Sequence, residues 1–285
     1  MRSSRDRPEP LSITGMALRM PKVRFHQLST TSRERSKRAG RMGMRPPGTA
    51  GDITGCGAGV GTSTPIGNSN ARVGVGVGTS TTIYDPDLSM SLPISLSVTS
   101  GINAIAHAAE GLYSTEGNPV IDLMAEEGIA AIGRALPKIV ADPKDVDARG
   151  DALYGAWLCG IVLGSVGMAL HHKLCHTLGG SFNLPHAETH TIVLPHALAY
   201  NAAAAPQAME RIRRALGGAS AAQAVYDLAK GNGAPVALQA IGMKAGDLDK
   251  ACDIAMSNQY PNPRPLERAA IRQLLQDAFE GVRPG

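Results

Sequence analysis

From about Thr81 onward apolar residues recur at helical spacing, and the gaps between the runs carry helix starts and stops. Ser97, Thr99 and Ser100 offer N-cap oxygens before a helix predicted over Gly101–Tyr113. Pro119 opens a second helix over Val120–Leu136, with Glu126 and Glu127 in its polar stripe, and Pro137 closes it. Asp145 or Asp147 starts a long apolar helix that reaches about His176 and stops at Gly179-Gly180. Further helices are expected at 188–201, 205–216, 219–230, 246–257 and 264–280, the last with Pro265 near its start and Gly281 just past its end. No segment after residue 95 reads as a strand, so the body is predicted to be all-α.

The first third of the chain has a different texture. Residues 1–45 carry 12 Lys and Arg against 3 Asp and Glu, whereas the remainder carries 16 against 21. A mildly acidic body thus bears a basic arm, and the overall charge of +4 conceals the split. Residues 46–83 hold ten glycines, including Gly74-Val75-Gly76-Val77-Gly78. Glycine at that density loses too much backbone entropy on ordering to favour a regular element. Neither Gly55-Cys56-Gly57-Ala58-Gly59 nor Gly74–Gly78 completes the G-x-G-x-x-G loop of a dinucleotide site, and neither lies between a strand and a helix. The expected division is therefore a basic, then Gly-rich, disordered region over 1–80, followed by an α-helical domain over 81–285.

Composition narrows the class further. Apolar residues make up 43% of the 285 residues, enough for a sizeable core, while aromatics at 4% disfavour an aromatic-rich β-barrel. The four cysteines, Cys56, Cys159, Cys175 and Cys252, form no C-x-x-C pair, which suits a reducing, cytoplasmic setting. Ala152–Leu170 passes nineteen residues without a charge and contains Gly160-x-x-x-Gly164. A membrane span meets that description. The reading preferred is a helix buried on all sides of a soluble core, since four glycines dilute the stretch and histidines follow at once. No membrane or nucleic-acid partner is expected.

Histidine placement carries the chemical signal. Six of the eight histidines fall between His171 and His196. Asn103 and His107 are spaced i, i+4, as are His172 and His176, so each pair leaves one helix face; His186 follows beyond the Gly-Gly turn. Such pairs converging from two helices build metal or polar substrate sites in helical cores. A divalent ion ordinarily takes an anionic oxygen beside its imidazoles, and Asn103 offers a neutral carbonyl. Zinc binding and hydrogen-bonded recognition of an anionic substrate or enolate both remain open on this reading.

Several blocks resemble the maleylacetate reductases of the iron-containing alcohol dehydrogenase superfamily. They are Thr81-Thr82-Ile83-Tyr84-Asp85-Pro86, the run Ser97–Tyr113 with Asn103 and His107, His171-His172-Lys173-Leu174-Cys175-His176-Thr177-Leu178-Gly179-Gly180, Leu184-Pro185-His186-Ala187-Glu188-Thr189-His190, and Leu194-Pro195-His196. The resemblance runs from about residue 80 to the last residue. It implies the helical C-terminal domain of the dehydroquinate synthase-like fold. It also implies NADH- or NADPH-dependent reduction of the dicarboxylate maleylacetate to 3-oxoadipate, a step of aromatic-compound degradation, in a homodimer. In metal-dependent relatives one Asp and three His bind iron or zinc; Asn103 stands at the Asp position and His107, His172 and His186 at the histidines. His176 matches a histidine beside the nicotinamide ring, and His107, His172, His176 and His186 are the implied catalytic set. The Rossmann-like dinucleotide domain that precedes these blocks in the family has no counterpart legible in residues 1–80, so no cofactor-binding residue is assigned. The alternatives are a metal-dependent alcohol dehydrogenase of the same superfamily and a non-catalytic helical remnant.

Overall fold

A computed structural model of the chain describes residues 83–257 and 260–285. The expected disorder of 1–80 lies outside these residues. Among the described residues there is no strand, and nine α-helices follow a short 3-10 turn at Pro86–Ser89. They are α1 (Ile94–Gly111), α2 (Pro119–Ala141), α3 (Val146–Ser165), α4 (Leu170–Phe182), α5 (His186–Asn201), α6 (Pro206–Leu216), α7 (Ala221–Gly231), α8 (Leu248–Met256) and α9 (Arg268–Glu280).

Several boundaries differ from expectation, each for a physical reason. Helix α1 begins two turns earlier, behind Pro93, because Ser97 and Thr99 turn their hydroxyls onto carbonyls within the helix instead of capping it: Ser97 Oγ donates to Pro93 O (3.0 Å) and Thr99 Oγ1 to Ser95 O (3.0 Å). Helix α2 runs through Pro137 to Ala141. Proline removes one backbone donor there, but Leu136 and Ile139 on either side are almost wholly buried and hold the last turn in place. Asn118 and Asp145 cap α2 and α3 through their side chains, the second as predicted.

The long apolar helix is two helices. It breaks at extended residue Val166, and α3 and α4 meet at 95°. Gly179 and Gly180 lie inside α4, which ends instead at Asn183 in the left-handed conformation (φ 53°). No single helix among the described residues is long and apolar enough to cross a membrane. Nor is α3 buried on all sides, since Tyr154 and Trp157 face outward. A Cβ at Gly160 or Gly164 would meet nothing within 4 Å, so their spacing marks no close contact here. The close approach is elsewhere: Gly155 of α3 faces Gly128 and Ile132 of α2, where a Cβ would lie 2.6 Å from Ile132 Cγ1 and 2.9 Å from Gly128 O.

Among the described residues two large apolar cores result, beside a small cluster of Ala135, Ile139 and Ala148. Val98, Ile102 and Ile105 of α1 pack with Ile129, Ile132 and Leu136 of α2, Val162 of α3, and Ile212 and Val225 of α6 and α7. Leu170, Leu174 and Leu178 of α4 pack with Leu248, Ile271 and Leu275 in the second. Helix α5 belongs to both, placing Leu194 and Leu198 in one and Ile192 and Val193 in the other. A helix so used is apolar around most of its circumference. The histidines of α1, α4 and α5 meet where it joins the two cores.

Candidate functional site

Helix α1 presents Asn103, His107 and Glu110 at i, i+4 and i+7, a polar stripe on a helix whose other buried positions are almost all apolar or small. Glu110 is fully buried and organises the start of α4. Ala169 precedes that helix and supplies no capping side chain, so its first N–H groups would be orphaned. Glu110 replaces the cap from α1. Its Oε1 accepts from His171 N (2.7 Å), and its Oε2 from Ala169 N (2.9 Å) and His172 N (3.4 Å). Tyr113 Oη donates to the same carboxylate at 3.3 Å. A carboxylate at a helix N-terminus also meets the positive end of the helix dipole.

The same carboxylate fixes a histidine. His172 Nδ1 lies 2.6 Å from Glu110 Oε2. A neutral imidazole so placed carries its proton on Nδ1 and leaves a lone pair on Nε2. That Nε2 is buried without a protein partner, as are Asn103 Oδ1 and His107 Nδ1. Orphaned buried polar atoms are costly, and several close together are what a bound polar group would satisfy.

The rings converge as the spacing predicted. His107 stacks on His172 with centroids 4.9 Å apart and planes at 27°. His176 stands edge-on to His172 at 6.3 Å. His186, the first residue of α5, joins them through His190, 4.2 Å from it and 5.0 Å from His172. His176 and His186 are the exposed members and form the solvent edge of the cluster. A separate cleft of about 440 Å³, lined by Tyr113, Glu116, Gly167 and Asn262 among others, contains none of these rings.

Burial and mutual proximity disfavour the charged form of His107, His171, His176, His186 and His190. Burial, with His172 and His186 adding repulsion, pushes His107 down to about 3. Burial and the neighbouring imidazoles lower His171 and His190 well below the usual histidine range. His176 and His186 are also lowered, burial first, with His172 a further cause for each.

Glu110, His171 and His190 were not singled out in the sequence. The i+7 spacing of Glu110 from Asn103 on an apolar face, and the i, i+4 spacing of His190 from His186, were the available signals. His171 Nε2 and His190 Nδ1 are 3.1 Å apart, and Cys175 Sγ lies 3.7 Å from His171 Nε2.

As a set for iron or zinc, Asn103, His107, His172 and His186 do not match the usual composition of a divalent-ion site. None of the four supplies a negative charge, and the nearest carboxylate, Glu110, is turned onto His172 and the α4 backbone. Among the described residues, the His, Cys, Asp and Glu side chains whose donor atoms all lie within 4.8 Å of one another are His171, Cys175 and His190, not His107, His172 and His186.

Comparison with known proteins agrees with this architecture. Residues 97–279 match the model of the C-terminal part of the Fe-containing alcohol dehydrogenase family. The maleylacetate reductase of Burkholderia cepacia is 66% identical over 192 residues, covering 67% of this chain and 54% of that protein. That of Pseudomonas sp. strain P51 is 63% identical over the same extent. The crystal structure of maleylacetate reductase from Agrobacterium tumefaciens superposes with a TM-score of 0.69 at 54% identity, covering 71% of this chain and 57% of that one. The chain spans about half the length of the curated relatives it matches. With the match extending over most of the described helices, the chain belongs to the Fe-containing alcohol dehydrogenase family.

Proposed function

We propose that the histidine cluster is the substrate site of a maleylacetate reductase, reducing maleylacetate to 3-oxoadipate with NADH or NADPH. The observation that carries the proposal is the set of partnerless buried atoms on Asn103, His107 and His172, the last two on stacked rings and the first one helical turn from His107. Relatives named maleylacetate reductase, 66% and 63% identical over this region, support the choice of substrate.

A reduced nicotinamide, when bound, supplies hydride to the alkene carbon β to the ketone. The chain's own residues then have two tasks. The first is to hold a dianionic substrate in one orientation, for which the exposed imidazoles His176 and His186 at the solvent edge are suited. The second is to stabilise the negative charge that develops on the ketone oxygen as the enolate forms. Preorganised N–H donors in a site shielded from water do this without reorganising, and the neutral His107 ring is one such donor. His172 is held in one orientation by Glu110, which leaves its Nε2 free for a polar partner. His176, edge-on to His172 at the exposed side of the cluster, is the candidate to deliver the proton that completes the reduction. No step requires a metal, and a homodimer forms part of the proposal.

The test follows nicotinamide absorbance in the presence of maleylacetate. Consumption of cofactor and substrate in equal amounts is expected, with His176→Ala lowering kcat by about 100-fold or more. Cofactor oxidation with simple aldehydes and none with maleylacetate would overturn the proposal in favour of an alcohol dehydrogenase.

A further inference from the structure

Ser100 has the residue type of a helix cap, but it lies inside α1, where there is no end to cap. A serine or threonine in that setting ordinarily folds its hydroxyl back onto the carbonyl four residues earlier. The buried hydroxyl residues beside it on α1, and those of α5, do so. Ser97 Oγ donates to Pro93 O (3.0 Å), Thr99 Oγ1 to Ser95 O (3.0 Å), Thr189 Oγ1 to Pro185 O (2.6 Å) and Thr191 Oγ1 to Ala187 O (2.8 Å). Ser100 does not. Its Oγ is buried without a protein partner, like Asn103 Oδ1 and His107 Nδ1 further along the helix. Positions 100, 103 and 107 are i, i+3 and i+7, so the three unsatisfied groups share one helix face. The residues on either side are taken up by packing. Thr99 O accepts from Thr191 Oγ1 of α5 (3.4 Å), and a Cβ at Gly101 would lie 2.9 Å from Leu136 Cδ2 of α2.

We propose that Ser100 is a substrate-binding residue whose hydroxyl donates to the carboxylate on the saturated side of the ketone, which rests on the reading of the cluster as a maleylacetate site. A carboxylate only accepts hydrogen bonds, and a hydroxyl with no partner is free to donate one. A rise of about 1.5 Å per residue sets Ser100 about 4.5 Å along the helix axis from Asn103 and about 10.5 Å from His107. Helical side chains lean toward the N-terminus, so the longer His107 side chain covers part of that span. With the ketone oxygen at His107 and the alkene on the His176 side, the remaining arm of the substrate runs back along α1 past Asn103. Its terminal carboxylate then meets Ser100. A hydrogen bond that is unmade in the free protein becomes one to a charged acceptor in the complex. Removing the hydroxyl therefore weakens the complex and spares the fold.

Calorimetric titration of the full chain with maleylacetate, and with cis-acetylacrylate, the methyl ketone that lacks this carboxylate, tests the assignment. Ser100→Ala should weaken maleylacetate binding by about tenfold or more and leave cis-acetylacrylate binding unchanged. Its thermal midpoint should equal that of the parent chain or exceed it, because alanine removes an unsatisfied hydroxyl and favours the helix. A hydroxyl with a structural role alone gives the opposite pair, a lower midpoint with unchanged affinity. Unchanged maleylacetate affinity in Ser100→Ala, an equal loss for both ligands, or a lowered midpoint would each overturn the assignment. Failure of the parent chain to bind maleylacetate would bring down the substrate reading and Ser100 together. Binding by the parent with no loss in Ser100→Ala would leave that reading standing and remove Ser100 from the site.

Discussion

At the scale of single residues, Glu110 has the largest share of the site's organisation. One buried carboxylate accepts from three backbone N–H groups, from Tyr113 and from His172, so it joins the integrity of α4 to the orientation of a site imidazole. Glu110→Ala should destabilise the fold by about 2–4 kcal/mol, since it orphans several buried donors at once. Glu110→Gln is a sharper probe. Its amide keeps one acceptor oxygen but turns an NH2 toward donors, so the loss of activity should exceed the loss of stability. Thermal melts and kcat measured on both variants check this. Asn103, His107, His172 and His176 stood out in the sequence because i, i+4 spacing is visible in one dimension, and His186 through its place beyond the Gly-Gly turn and the family resemblance. Glu110 was hidden because its partners lie about sixty residues away, and nothing local marks a side chain that caps another helix.

At the scale of elements, the helices after Pro185 lie within four residues of expectation at every boundary, because Pro206 at the start of α6, the Ser220 cap of α7 and the left-handed Gly281 after α9 mark those ends locally. The failures were at the start of α1, at the end of α2 and at the α3–α4 junction. Pro137 looked like a stop, yet burial of its neighbours outweighs one lost hydrogen bond. The corner at Val166–Ala169 contains no proline and follows apolar sequence, so its cause is tertiary: Glu110 takes the first amides of α4 and starts a new helix there. Glycines within α3 separate these local and tertiary effects. Gly155→Ala should cost about 1–3 kcal/mol or more, because the added methyl meets Ile132 and the Gly128 carbonyl across the α2 contact. Gly160→Ala meets nothing and should be neutral or stabilising by about 0.5–1 kcal/mol, through lower backbone entropy in the unfolded chain. Denaturant midpoints for the two variants should therefore move in opposite directions, or only the first should move.

At the scale of the whole molecule, the buried histidines make stability depend on pH. Burial holds His107 at about 3 and His196 at about 4, the latter partly offset by Asp277. In the unfolded chain both titrate near 6.5. Below that value the unfolded state takes up protons that the folded state refuses, so stability is fully present above about pH 6.5 and declines as pH falls toward 4. Urea midpoints at pH 7.5, 6 and 5 should fall in that order, whereas a flat profile would mean that these rings are reached by solvent. The fold class was readable because nothing in the described residues alternates as a strand does and helix starts and stops recur. The site was readable in part, as a set of residues but not as an arrangement. Which nitrogens lack partners is a property of packing, not of spacing along the chain.

The central claim is that these partnerless groups receive a dicarboxylate, and calorimetric titration of the full chain with maleylacetate tests it without requiring turnover. Saturable binding is predicted, weakened by about tenfold or more in His107→Ala and Asn103→Ala while helical content is unchanged, because each removes a group left unsatisfied in the site. Absence of binding, or equal affinity in all three proteins, would contradict the account.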